Sequence, residues 1–156
     1  MTVIINGSNL RSIGLGTRVE KTQALSAATL PIFTIAGGEV LITSFYLKAT
    51  VTIAAAGGTL ALQSNPTTGD TAASIVTATD LGTSDAVAGT IIGVREEAVA
   101  DASLVPYRFA ENGVALTNLV VTTGQLELVG ASSIDGTVLA VVTYVPLTDG
   151  ATLVAA

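Results

Sequence analysis

The sequence predicts an all-β chain, an antiparallel two-sheet sandwich of jelly-roll type with an extended N-terminal arm. Three observations predict it. Runs rich in Val, Ile, Thr, Phe and Tyr recur along the chain, several of them alternating apolar and polar residues as a half-buried strand does. Clusters of Gly, Pro, Asn and Asp separate these runs at roughly 8–12-residue spacing, the rhythm of a sandwich or barrel. No alternation of helical and strand patterns is visible, which argues against α/β folds. The 156 residues make one domain at the usual size of about 150 residues. Residues 1–16 read as the arm and residues 17–156 as the sandwich.

Taken in order, residues 1–16 hold Gly7, Gly14, Gly16, Asn6, Asn9 and an isolated Arg11. That composition suits an extended arm lying on a neighbouring subunit; an ordinary first strand or frayed terminus is the plain alternative. Residues 30–35 read as a strand, and Ala36-Gly37-Gly38-Glu39 as the turn into the longest strand, residues 40–53, which alternates cleanly from Tyr46 to Ile53. Gly57-Gly58 reads as a turn, with residues 59–64 returning as the hairpin partner of the long strand. Asn65-Pro66-Thr67-Thr68-Gly69-Asp70 is dense turn chemistry, because Pro fixes φ and Gly accepts a positive one. Residues 89–94, 119–122 and 125–129 follow as short strands. Residues 95–102, with Arg95, Glu96 and Glu97, read as a charged loop in preference to a helical turn. Residues 136–146 close the fold, Pro146 ending ladder donation. No period of 20–50 residues recurs, so a solenoid is not indicated.

Charge and composition narrow the function classes. Six Lys and Arg against twelve Asp and Glu give a net charge of −6, and an acidic chain lacks the basic face that nucleic acid or an anionic membrane requires. Neither partner is expected. No basic start followed by an apolar stretch marks a signal peptide, and no run of about 18 uninterrupted apolar residues marks a spanning helix. Hydrophobic residues make up 49% of the chain, yet charged residues only 12% and aromatics only 4%. An average domain carries about 25% charged residues, so this chain is short of polar side chains to cover its exterior. Part of that exterior is expected to be buried against other protein chains.

Chemistry has few candidates. The absence of His and Cys removes imidazole and thiolate ligands and the usual general base near neutral pH. Lys21 and Lys48 stand in no Ser-x-x-Lys spacing, and no Gly-x-Ser-x-Gly elbow occurs. Glu96 and Glu97 are adjacent, and on a strand they would point to opposite faces. Glu127 and Asp135 are a conceivable glycosidase pair that nothing in the sequence selects. Asp70, Asp80 and Asp85 could offer oxygen ligands to Ca²⁺, but their spacing matches no EF-hand loop. Phe45, Tyr46, Tyr107 and Phe109 could stack on sugars or bases, although with so few aromatics most should be core or subunit contacts. A non-enzyme without cofactor or metal is expected.

An ordered series of short motifs runs from Val19 to the end of the chain. It comprises Val19-Glu20-Lys21-Thr22, Leu30-Pro31-Ile32-Phe33-Thr34-Ile35, Gly37-Gly38, Val40-Leu41-Ile42-Thr43, Asn65-Pro66-Thr67 and Ala88-Gly89-Thr90. It closes with Thr143-Tyr144-Val145-Pro146-Leu147, Asp149-Gly150-Ala151 and Val154-Ala155-Ala156. This series resembles the small structural proteins encoded beside capsid genes in tailed bacteriophages. It departs from them in its N-terminal arm and in lacking a Trp in the last strand.

The resemblance implies a virion structural protein, a capsid decoration or cement protein. Such a protein is made in the host cytoplasm and sits on the capsid surface as a homotrimer, bridging subunits of the major capsid protein. On that reading the capsid-contact candidates are Asn9 and Arg11 in the arm, with Arg95, Glu96 and Glu97 in the charged loop. Phe45 and Tyr144 are the candidate anchors between subunits, with plain core residues as the competing reading. The alternative function is a jelly-roll carbohydrate- or receptor-binding module of a phage fibre or baseplate.

Overall fold

Alternation along most of the chain gives strands that bury one face and leave the other outside. A computed structural model describes residues 14–54, 58–68, 71–81, 84–95, 103–107 and 118–156, with the main chain alone for 95 and 103–107. Among them eleven strands form. In chain order they are β1 (Thr17–Ala24), β2 (Thr29–Ala36), β3 (Val40–Val51), β4 (Thr59–Pro66), β5 (Ala73–Asp80) and β6 (Ile91–Arg95). There follow β7 (Ser103–Tyr107), β8 (Leu119–Val121), β9 (Gly124–Ala131), β10 (Thr137–Pro146) and β11 (Thr152–Ala155).

The strands make two antiparallel sheets. Sheet one runs β1-β10-β3; β8 pairs with the start of β3, β6 with its later part, and β7 lies beside β6. Sheet two runs β5-β4-β9-β2-β11. A single parallel residue pair, Thr77 with Ser103, links β5 to β7 along one side. On the other side β1 and β11 end the hydrogen-bonded path without pairing, so the sandwich does not close into a barrel.

The core fills the space between the sheets. From sheet one it takes Phe45, Leu47 and Ala49 on β3 and Val138, Ala140 and Val142 on β10. From sheet two it takes Leu60 and Leu62 on β4 and Leu126 and Leu128 on β9. These are the inward positions of period-two strands. Ile32 and Phe33 are consecutive, yet both are buried. A bulge explains it: the β2–β9 register steps from Pro31↔Glu127 to Phe33↔Leu126, so one extra residue on β2 turns inward. Pro31, which has no N–H to give a ladder, sits at that bulge, where an inner strand tolerates it.

The chain changes sheet at its early turns. Gly37 and Gly38, at φ 78° and 136°, carry it from β2 in sheet two to β3 in sheet one. A Cβ on Gly38 would meet the Thr148 side chain at 2.6 Å, so this corner needs glycine for space as well as for backbone angle.

Crossing between sheets also sets the partners of β4. Residues 59–64 are not the hairpin partner of the long strand: β4 pairs with β5 and β9 in the opposite sheet. The long strand ends at Val51, and Ile53 makes only an isolated bridge to Ala86. Arg95 is not in the loop; it ends β6, paired in register with Ser103. Strands β1, β5, β7 and β11 were not among the segments read as strands.

Candidate functional site

The outward face of sheet one divides into a polar band and an apolar end, and register places each residue on it. Because Val40 and Ile42 point into the core, Leu41 between them points out. Its cross-strand partners are Val145 on β10 and Val120 on β8. A row Val145–Leu41–Val120 therefore crosses three strands on the outside. Val120 is 50% exposed, and Leu147, just beyond β10, is 51% exposed.

Leu15, 66% exposed, belongs to the same end. The Thr43 hydroxyl donates to the Leu15 carbonyl at 3.0 Å, although that oxygen lies before β1 and Thr43 lies on β3. Gly16 makes the crossing: at φ +95° it backs onto β10 so closely that a Cβ would stand 2.4 Å from the Tyr144 carbonyl oxygen and 3.2 Å from the Val145 side chain. Only glycine fits both constraints. Residues 14–16 therefore belong against sheet one.

The polar band lies further along the same face. Arg18 forms an ion pair with Glu20 on the surface of β1. A hydrogen bond to Tyr46 raises the already high pKa of the Arg18 guanidinium. Glu20 and Tyr46 flank Val141 in register on either side. Val141 is buried although it faces outward, which these longer neighbours explain. Lys48 and Thr22 continue the polar surface around Leu139.

A second apolar pair stands at the other end of sheet one. Residues 86–90 run alongside the end of β3, tied by reciprocal N–H···O bonds between Ile53 and Ala86 and between Ala49 and residues 89–90. Val51 and Val87, 55% and 59% exposed, stand on these adjoining segments.

Sheet two carries a different feature. Glu127 is 4% exposed, yet it alternates with the core residues Leu126 and Leu128 and so points away from the core. Gln63 Nε2 donates to its Oε2 at 2.6 Å and Asn65 Nδ2 to its Oε1 at 3.1 Å. Both amides come from the same face of β4, Gln63 directly opposite Glu127. A buried carboxylate needs such donors to offset desolvation. Here they also lock the β4–β9 register.

The predicted site residues fare unevenly. Phe45 and Tyr144 point inward and are 1% and 7% exposed. They are core residues of one chain, so neither presents a side chain to a neighbouring subunit. Asn9, Arg11, Glu96 and Glu97 lie outside the described residues, and of Arg95 only the main chain is described. Phe45 and Tyr46 point to opposite faces of β3 and form no joint stacking platform; Phe109 and the Tyr107 side chain lie outside the described residues. Asp135 Oδ1 accepts the Ala54 N–H at 2.9 Å, which holds a turn, while Glu127 is engaged on β9. Among the described residues no three acidic side chains gather as a metal site would require; Asp70 lies outside them. The exposed valines were missed because an isolated Val on a strand reads the same whether it faces core or solvent.

No protein-family model, no curated protein and no solved structure matches this chain.

Proposed function

We propose that the chain is a capsid decoration protein of a tailed bacteriophage, with a jelly-roll body. The strand order is the observation that carries this reading. With β6 and β7 set aside, the hydrogen-bonded orders β1-β10-β3-β8 and β2-β9-β4-β5 support a jelly roll, in which eight strands alternate between two four-stranded sheets; β11 is an addition beside β2. The motif series supports the same reading, because each piece falls on a strand or turn of that order. Val19–Thr22 is on β1, Leu30–Ile35 on β2 and Val40–Thr43 on β3. Asn65-Pro66-Thr67 closes β4, Thr143–Pro146 closes β10, and the last residues form β11.

In this reading the body supplies contacts rather than catalysis. Val51 and Val87, with Val154 on β11, are exposed apolar residues available for contacts between copies, in place of the buried Phe45 and Tyr144. Asn9 and Arg11 in the leading segment, with Arg95, Glu96 and Glu97, remain the residues proposed to meet the major capsid protein. Permanent interfaces are larger and more apolar than transient ones, which suits a chain with 12% charged residues.

Sedimentation of the purified protein with empty assembled coat shells tests the proposal. Saturable binding to shells, weakened by removal of residues 1–13, is expected. Protein that stays in the supernatant at every shell concentration contradicts it.

A further inference from the structure

We propose that the Val145–Leu41–Val120 strip on the outside of sheet one is the docking surface for the chain's own leading segment, residues 1–13. The inference does not depend on what the finished protein decorates.

Where the described chain begins is the first argument. Gly14-Leu15-Gly16 is already on this face, held by the bond from Thr43 to the Leu15 carbonyl and by the close approach of Gly16 to Tyr144 and Val145. The segment upstream therefore starts at the edge of the strip. Gly16 sets this direction, since its positive φ turns the chain away from the line of β1.

Reach and chemistry agree. Thirteen residues extend to about 43 Å at ~3.3 Å each, whereas crossing from β10 to β8 through β3 spans only about 10 Å. The strip offers aliphatic side chains without a charge among them: Val145, Leu41 and Val120, with Leu15 and Leu147 at its margin. The segment offers Val3, Ile4, Ile5, Leu10 and Ile13, with Arg11 as its charged side chain. Packing one against the other removes apolar surface from water on both sides. It would also cover Val120, which is otherwise a large exposed apolar side chain.

The absence of cysteine makes a direct test clean. In the full-length protein, Val120→Cys is paired in turn with Ile5→Cys and Leu10→Cys, and Val51→Cys, at the far end of β3, replaces Val120→Cys as the control. Mild oxidation should give an intrachain disulfide with Val120→Cys in at least one pairing and none with Val51→Cys. Limited trypsin digestion supplies a second readout, because cleavage after Arg11 follows the population of the undocked segment. Val120→Glu, at a half-exposed position, should accelerate that cleavage about tenfold and lower the unfolding free energy by no more than the ~1.4 kcal/mol to which that factor corresponds, the body of the sandwich staying folded.

Three results would overturn the proposal. One is equal crosslinking to Val120→Cys and Val51→Cys, or none to either. Another is a product of twice the chain mass, which makes a second copy the occupant. The third is unchanged cleavage after Arg11 in Val120→Glu.

Discussion

The Lys21 ammonium donates to the main-chain oxygen of Ala156 at 2.7 Å, across 135 positions of sequence, and to the Pro31 carbonyl at the same distance. Lys21 lies on β1, the outermost strand of sheet one, at an inward position opposite Ala140. Pro31 belongs to β2 and Ala156 directly follows β11, both strands lying in sheet two. One side chain thus bridges the side of the sandwich that no ladder closes. An inward-pointing charge on an edge strand also discourages the edge from pairing with another chain.

Lys21→Met should loosen this side. Hydrogen bonds from a charged donor contribute roughly 1.5–3 kcal/mol when well buried. With one of the two exposed, the expected loss is about 1–2 kcal/mol. Denaturant unfolding measures it, and amide exchange should accelerate in β1 and β11 before β3. Unchanged exchange in both strands would show that the bridge holds nothing.

Glu127 makes a separate prediction on sheet two. Glu127→Ala strands the Gln63 amide on a covered surface, at an expected cost of about 2 kcal/mol. Combining it with Gln63→Ala should cost less than the sum of the single losses, since the two side chains share one interaction. An additive double mutant would mean that the hydrogen bond is not stabilising.

How much could be read beforehand depended on how a residue's environment shows in its neighbours. The long run Val40–Val51 and the closing strand announce themselves through β-branched density and alternation, and the two-sheet architecture follows from the turn spacing. Pairing was misread at Gly57-Gly58. A glycine pair signals that the chain turns, but not whether it returns in the same sheet or crosses to the other, which a packed core decides. β1 was invisible because it is an edge strand with no fully buried residue, and β11 because Thr152–Ala155 is short and small. Phe45 and Tyr144 carried aromatic mass suited to an interface or a core; only the register, which turns both inward, distinguishes the two.

That placement is testable. Phe45→Ala should cost about 3–5 kcal/mol, as for a large aromatic removed from a core. Below its unfolding transition the variant should keep the oligomeric state of the parent, measured by light scattering. Dissociation into folded, stable monomers would instead make Phe45 a subunit anchor.

Gly16→Ala asks whether the crossing ahead of β1 is held as tightly as its geometry indicates. Its positive φ and the 2.4 Å approach of a new Cβ to the Tyr144 carbonyl require the backbone to shift. The stability loss should be about 1 kcal/mol or more, with the largest chemical-shift changes at Thr43 and Val145. Spectra and stability identical to the parent would contradict the crossing.

The proposed role itself turns on where the protein is found in particles. If the proposed role holds, quantitative protein analysis of heads and tails purified separately from a tailed bacteriophage carrying this sequence finds the chain on heads, in fixed ratio to the major capsid protein. Its presence on tails or fibres alone, or its absence from both, would contradict the account.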